Sequence, residues 1–328
     1  MRRLLQSMAP VFHLTRVTTA FAIIANTWFV ILWSRAEREF ENPTGRLATA
    51  PLWILLAAGA GVALGLFSFG TSLNDILDLK RDRTLRPDRP LASGQLPIDL
   101  ALALVVGTMV TAIVGATVFG TEAVLLTLAL IGAIFVFNAT GRFIPAIGLV
   151  LLGLIHAGHM LIPNLELKFL WPIWLAMTHS LLVAAISHRI AHKVPRISRR
   201  AMAAAVIGWA FWSMVLIWLQ FSRQGSPRTL WPAWINPWAA AWPAGLVVVF
   251  AIVAWAKVKR YGRNPRSAEK ISRYGSLWLA LYACAWLVGA QRTYEAWILI
   301  LLTMAGFLGM TVLRELYGLV EQPMGYRR

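Results

Sequence analysis

The sequence predicts an all-α, polytopic membrane helical bundle of nine or ten transmembrane helices, and three observations carry that prediction. Of the 328 residues, 58% are hydrophobic and 14% are charged, with a mean hydropathy of +0.64, where a soluble domain carries about 25% charged residues. Apolar stretches close to the ~20 residues that a helix needs to cross a ~30 Å hydrocarbon core recur along the chain. Lysine and arginine crowd into alternate loops between those stretches, the pattern that marks a cytoplasmic side. No linker or low-complexity tract divides the chain, so one domain over 1-328 is expected.

The first segment, 17–34, starts after Arg16 and is followed by Ser34-Arg35-Ala36-Glu37 in place of a small-residue cleavage pattern, which reads as a retained helix. The next five are 51–73, 99–119, 122–140, 143–163 and 169–187; the last four are 201–221, 238–256, 276–290 and 295–313. The ninth is short, so a tilted hairpin or re-entrant segment is the alternative to a crossing. Arg2 and Arg3, Lys80 to Arg89, Arg189 to Arg200, Lys257 to Arg273 and Arg314 to Arg328 form the basic loops. Between 34 and 51, Arg35, Arg38 and Arg46 balance Glu37, Glu39 and Glu41. The expected setting is the inner (cytoplasmic) membrane, with the basic loops in the cytoplasm and Glu122, Glu166 and Glu295 as solvated caps on the other side.

Sixteen tryptophans, among them Trp33, Trp53, Trp171, Trp174, Trp231, Trp234 and Trp238, suit the headgroup zone. Gly61 and Gly65, four apart, suit close helix packing in lipid. The net charge of +17 is spread between apolar segments, not gathered on a polar domain, which argues against nucleic acid as a partner and for membrane lipid. Cys284 is the single cysteine, so an intramolecular disulfide and a cysteine metal cluster are excluded. His156 and His159 share a helix face without a third ligand at metal spacing and read as packing or substrate contacts.

The one stretch dense in chemistry is Asn74-Asp75-Ile76-Leu77-Asp78-Leu79-Lys80-Arg81-Asp82. At about 100° per residue, Asn74, Asp75, Asp78 and Asp82 fall within an arc of roughly 100°. Leu73, Ile76, Leu77 and Leu79 occupy the opposite side, so a helix continuing from the membrane turns its acidic stripe toward a protein cavity. Carboxylates near a bilayer need a neutralising cation, and hard carboxylate and amide oxygens suit Mg²⁺, which commonly bridges a few carboxylates to substrate phosphates. The alternative is a solvated loop in which Lys80, Arg81, Arg83 and Arg86 pair with the aspartates. Beyond it, Arg86-Pro87-Asp88-Arg89-Pro90-Leu91-Ala92-Ser93-Gly94 places helix-stopping prolines beside arginines suited to phosphate oxygens.

Taken together, Asn74-Asp75-x-x-Asp78-x-x-x-Asp82 and the Arg86 to Gly94 run closely resemble the first aspartate-rich motif of the UbiA superfamily of intramembrane prenyltransferases. Leu14-Thr15-Arg16 is similar to that family's arginine-bearing segment at the first helix. The resemblance implies that Asn74, Asp75, Asp78 and Asp82 bind Mg²⁺ and, through it, a prenyl diphosphate, with Asp75, Asp78 and Asp82 as the catalytic carboxylates. It implies substrate contacts from Arg16, Arg86 and Arg89. Where the family carries a Tyr and a basic residue four apart, this chain has Asn138-Ala139-Thr140-Gly141-Arg142, which makes Asn138 and Arg142 further candidates.

The family's second aspartate motif has no counterpart, because no aspartate follows Asp99. At the matching place the chain reads Ser187-His188-Arg189-Ile190-Ala191-His192-Lys193, basic where the family is acidic. His188, Arg189, His192 and Lys193 either bind diphosphate oxygens in place of a second Mg²⁺ or anchor a cytoplasmic helix end. The run Gly148 to Pro163 is similar to the EboC-like subgroup, which also lacks the second motif. The implied function is Mg²⁺-dependent transfer of a polyprenyl group to an aromatic or other lipophilic acceptor. A non-catalytic isoprenoid or lipid binder or transporter, and a transferase using another diphosphate donor such as phosphoribosyl diphosphate, are the alternatives.

Overall fold

Each of the ten apolar segments corresponds to a long helix in the computed structural model, which describes residues 11, 14, 20–224 and 229–321, and the side chains of all of these except 310 and 313–321. The helices are α1 (Phe21–Ala36), α2 (Leu52–Leu77), α3 (Ile98–Thr117), α4 (Thr121–Ala139), α5 (Pro145–Leu161), α6 (Trp171–Ile190), α7 (Arg199–Arg223), α8 (Ala241–Tyr261), α9 (Pro265–Gly289) and α10 (Thr293–Glu321). Short helices at Arg38–Glu41, Gly45–Thr49 and Leu79–Leu85 lie between them, and no strand occurs among the described residues. Six helices, α2, α3, α4, α6, α7 and α8 with its preceding turn, are long and apolar enough to cross a membrane; α1, α5 and the start of α10 are apolar but shorter.

α9 departs most from the hydropathy reading. It is one continuous helix of 25 residues beginning at Pro265, not a hairpin over 276–290. Its polar first turns are set by a capping box: Ser267 N–H donates to Asn264 Oδ1 at 2.9 Å, and Asn264 N–H to Ser267 Oγ at 3.3 Å. Pro265 at the first position loses no hydrogen bond there. Capping chemistry therefore extends the helix beyond its apolar stretch.

The helices α1, α2, α4, α5, α6 and α9 pack on one another in turn and close a ring, with α3 against α2 and α4, α7 against α5, α8 against α9, and α10 against α9 and α1. One end of this ring is locked by acids. Glu41 accepts from Trp33 Nε1 at 3.0 Å, Lys168 N at 2.7 Å and Phe169 N at 3.1 Å, while Arg292 Nε donates to Glu37 Oε1 at 2.6 Å. Both glutamates are buried, so they do more than balance nearby arginines: they tie the short helix Arg38–Glu41 to the segments before α6 and α10. Trp33 is fully buried and stacks on Phe169 with centroids 4.8 Å apart, a core residue and not an interface anchor. Trp53 and Trp238 are exposed, as a headgroup belt requires.

Small residues set the tightest contact, between α2 and α3. A Cβ on Gly65 would lie 2.7 Å from both the Ala112 nitrogen and the Thr108 carbonyl oxygen, whereas one on Gly61 meets nothing within 4 Å. Only one of the two glycines is thus part of a close approach. Gly65→Ala should lose about 1–3 kcal/mol through backbone displacement, and Gly61→Ala should stay within about 0.5 kcal/mol of wild type. Unfolding midpoints of both variants in detergent check this, and equal midpoints would contradict the packing assigned to Gly65.

Candidate functional site

The acidic stripe forms where α2 ends. α2 passes into the short helix Leu79–Leu85 through Asp78, whose ψ of 0° bends the chain without breaking its hydrogen bonding: Asp78 N donates to Asn74 O at 2.9 Å and Asp82 N to Asp78 O at 2.8 Å. Asp75 and Asp82 are 5% and 6% exposed. Burial at that level rules out the solvated-loop reading, since carboxylates this deep need fixed partners.

Two guanidinium groups supply partners, and they divide the stripe into pairs. Arg89 Nη1 donates to Asp75 Oδ1 at 2.9 Å and to Asp82 Oδ2 at 2.5 Å. Arg142 grips Asp78 with both nitrogens, at 2.8 and 2.6 Å, and donates to Asn74 Oδ1 at 2.5 Å. The four polar residues therefore converge on two cations, not on one point.

Each arginine is aimed by local structure. The 86–97 loop is pinned by Leu91 and Leu96, which are buried with Leu14 and Ala101 against Ile76 and Leu79 on the apolar side of the stripe. Its backbone closes through Ser93 N to Arg89 O at 2.8 Å and Leu96 N to Pro90 O at 3.0 Å, and Gly94 takes a φ of +79° that disfavours a side chain. Arg142 sits on a 3₁₀ turn, Gly141–Phe143, after α4, with its guanidinium 4.9 Å from the Phe143 ring. Its Nε is buried without a hydrogen-bond partner.

Asn74, Asp78, Asp82, Arg89 and Arg142 line a cavity of about 730 Å³, whereas Asp75, expected from the sequence to bind the ion, does not reach its lining and pairs with Arg89. Asn74, Asp78 and Asp82 lie on one side with Arg81, Arg86, Arg89 and Arg142, and Ser187, His188, His192 and Lys193 come from the end of α6 and the loop after it. Phe137, Phe143, Leu149 and Leu152 add apolar wall. The basic segment at 187–193 thus faces the aspartate stripe. Burial and the positive charges of Arg86 and Arg81 lower the Lys193 pKa from its ordinary value, so an anion entering the cavity would relieve repulsion. His188 Nε2 lies 2.8 Å from the Pro195 carbonyl oxygen, which assigns its proton to that nitrogen.

Not every residue singled out in the sequence reaches this cavity. Asn138 is buried, and its amide donates to the carbonyls of Ile134 at 3.0 Å and Gly70 at 3.4 Å, so it joins α4 to α2 instead of lining the cavity. Arg189 lines a different, adjoining cavity, because one helical step from His188 turns it away. Arg16 lies outside the described residues. His159 Nδ1 lies 3.3 Å from Thr27 Oγ1 and His156 Nδ1 2.9 Å from the Leu152 carbonyl oxygen, both as packing groups. Sequence reasoning did not assign Arg81 to the site, although its spacing of three from Asp78 was a usable signal; Phe143 and Ser272, the latter bonded to Ser187 at 2.9 Å, carried none.

Residues 27–274 match the model of the UbiA prenyltransferase family. The chain belongs to that family. Among solved structures, a digeranylgeranylglyceryl phosphate synthase aligns at a TM-score of 0.54 and 17% identity, over 87% of this chain and 99% of that one. A UbiA homologue from Archaeoglobus fulgidus aligns at 0.52 and 12% identity, over 86% and 99%. A structure of a UbiA homologue from Archaeoglobus fulgidus bound to GPP and Mg²⁺ aligns at 0.45 and 12%, over 92% and 99%. Comparison with curated proteins returns no match. The shared fold and the apolar helices make this UbiA family member an integral membrane protein.

Whether the stripe suits Mg²⁺ is decided by its donors. Asn74, Asp78 and Asp82 present hard oxygens to the cavity. No trio of Asp, Glu, His or Cys among the described residues is grouped to hold an ion alone. The set fits an ion that takes one or two protein oxygens, keeps waters and shares phosphate oxygens, as Mg²⁺ does.

Arg89 is the sharper test of the electrostatics within this UbiA site. Arg89→Met strands Asp82 and should destabilise the protein by about 3–5 kcal/mol, and adding Asp82→Asn should restore part of that loss. Denaturation of the single and double variants checks it; a double variant no more stable than the single would contradict the pairing.

Proposed function

We propose that this UbiA family protein is a Mg²⁺-dependent prenyltransferase that holds the diphosphate of a prenyl donor in the charged cavity and delivers the prenyl group to an aromatic or other lipophilic acceptor. The observation that carries this reading is the lining itself: Asp78 and Asp82 stand against Arg81, Arg86, Arg89, Arg142 and Lys193, so the cavity holds acidic ligands for a metal yet is positive overall. An anion rich in oxygen and able to share a divalent ion satisfies both features, and diphosphate is such an anion.

In this reading one or two oxygens drawn from Asn74, Asp78 and Asp82 would hold the ion, which when bound would neutralise charge developing on the leaving diphosphate. Asp75, held with Asp82 by Arg89, keeps that arginine in place. Arg142 and Arg86 on one side and Lys193 and His192 on the other bind diphosphate oxygens, the basic segment acting where the family's second acidic motif stands. The bond between the first prenyl carbon and the diphosphate oxygen breaks with its electron pair leaving on oxygen. The acceptor then bonds to that carbon and loses a proton. Phe137, Phe143, Leu149 and Leu152 keep water from the allylic centre. The basic loops at 80–89, 189–200 and 257–273 share the end of the bundle that holds the cavity, which supports a site facing the cytoplasm from the inner membrane.

The lack of any aspartate after Asp99 favours one second reading, a carrier that binds a polyprenyl ligand without transferring it. Diphosphate release from a panel of prenyl diphosphates, with a membrane lipid extract as acceptor source, separates the two. A transferase should release diphosphate only with Mg²⁺, and Asp78→Asn and Lys193→Ala should each lower kcat/KM by about 100-fold or more. Wild-type turnover by Asp78→Asn at matched protein levels would sink the metal role. Saturable Mg²⁺-dependent binding without release would support the carrier.

A further inference from the structure

A second cavity, of about 1260 Å³, adjoins the first and differs from it in chemistry. α6 and α8 both pack on α9 but not closely on each other, and the space between them is a cleft floored by Ile271, Tyr282 and Trp286. Leu182 and Ile186 on one wall, and Val247 and Trp255 on the other, are exposed, so the cleft opens sideways to the hydrocarbon. The lining of α6 runs from Trp171 to Ile190, a rise of about 29 Å at 1.5 Å per residue, close to the ~30 Å of a bilayer core. The buried polar pair in its wall is already satisfied: His179 Nε2 lies 3.0 Å from the Gly275 carbonyl oxygen, which leaves Nδ1 to accept from the Tyr282 hydroxyl at 3.2 Å.

The mouth is different from the body. Arg189, Arg196 and Arg263 line this cleft and not the aspartate cavity, and no Asp or Glu lines it among the described residues. His188, His192 and Lys193 line both cavities and form the partition between them. A prenyl tail is uncharged, and its diphosphate already has five Arg and Lys side chains in the first cavity. Three further guanidinium groups at the mouth of an apolar cleft call for a second anion. Any cytoplasmic helix end tends to be basic, but that tendency does not require the charges to converge on one cavity.

We infer that this cleft binds the acceptor, and that the acceptor is an amphiphile with an acidic head group, carboxylate or phosphate, and a lipophilic body. This rests on the transferase reading above. The head is held by Arg189, Arg196 and Arg263, the body lies along α6 and α8, and the head-group end meets the reacting end of the donor across His188, His192 and Lys193.

Five of the sixteen tryptophans line the cleft and none lines the aspartate cavity, so the saturable part of tryptophan quenching, above the non-saturable quenching of exposed tryptophans elsewhere, reads the cleft without any turnover. The probe is a terminally brominated dodecyl phosphate, compared with the corresponding brominated alcohol. The phosphate should quench saturably and bind about tenfold tighter than the alcohol. That advantage should be lost in the Arg189→Gln/Arg263→Gln double variant, whose changed side chains are both exposed, and excess geranyl diphosphate with Mg²⁺ should not displace the probe. Equal binding of phosphate and alcohol in the wild type would overturn the proposal. So would competition by geranyl diphosphate, which would make the cleft the donor's tail site; displacement by phosphatidylglycerol in nanodiscs would overturn the acceptor role, by making the cleft a site for bulk anionic lipid. Because quenching needs no transfer, a protein that fails to release diphosphate but passes this test would contradict the transferase reading and leave the cleft's anion selectivity standing.

Discussion

Three carboxylates at the end of a membrane helix are sustainable only with positive charge built in beside them, and this requirement organises the site end of the bundle. Arg89 and Arg142 meet it, one from the loop after α2 and one from the turn after α4. Each needs its own support: the loop is held by Leu91 and Leu96 on the apolar side of the stripe, and the Arg142 guanidinium lies beside Phe143. The opposite end of the ring is fixed by Glu37 and Glu41, buried and bonded across segments. Charge pairing at both ends thus frames an interior held by apolar packing.

Most of the architecture was legible because hydropathy in lipid is a strong signal: the ten apolar segments match α1 to α10 within a few residues at most ends. The exceptions come from interactions that hydropathy does not register. α9 begins eleven residues before its expected start, a capping effect of Asn264 and Ser267. Trp33, placed at a helix end by sequence, is sealed in the core by Phe169 and Glu41. Gly61 and Gly65 look equivalent in sequence, yet only Gly65 faces α3.

The site was legible to the extent that its residues share one helix. Asn74, Asp75, Asp78 and Asp82 could be grouped by angle alone, but their division between two arginines depends on where the 86–97 loop and the turn at 141–143 return. Asn138 and Arg142, four apart in sequence, separate because α4 ends between them: one side chain bonds helix backbone and the other reaches the stripe. The same holds for His188 and Arg189: the first lines both cavities, the second only the larger one. Long-range packing decides such placements, and no single-sequence period encodes it.

The resulting arrangement departs from the acidic pairing that the UbiA family implies. An acidic, metal-suited side faces a basic one across a cavity of about 730 Å³, with a larger apolar cleft beyond the basic partition. In the proposed reading a diphosphate would be held by a metal on one flank and by side-chain cations on the other, which would preserve the sign of the field at the leaving group while changing its source. The most direct measurement is a structure with Mn²⁺ and a non-reactive prenyl thiolodiphosphate, read by anomalous scattering. The account predicts a manganese peak beside Asp78 and the diphosphate in contact with both Arg142 and Lys193; a diphosphate lodged instead on Arg189 and Arg263, with no manganese at Asp78, would contradict it.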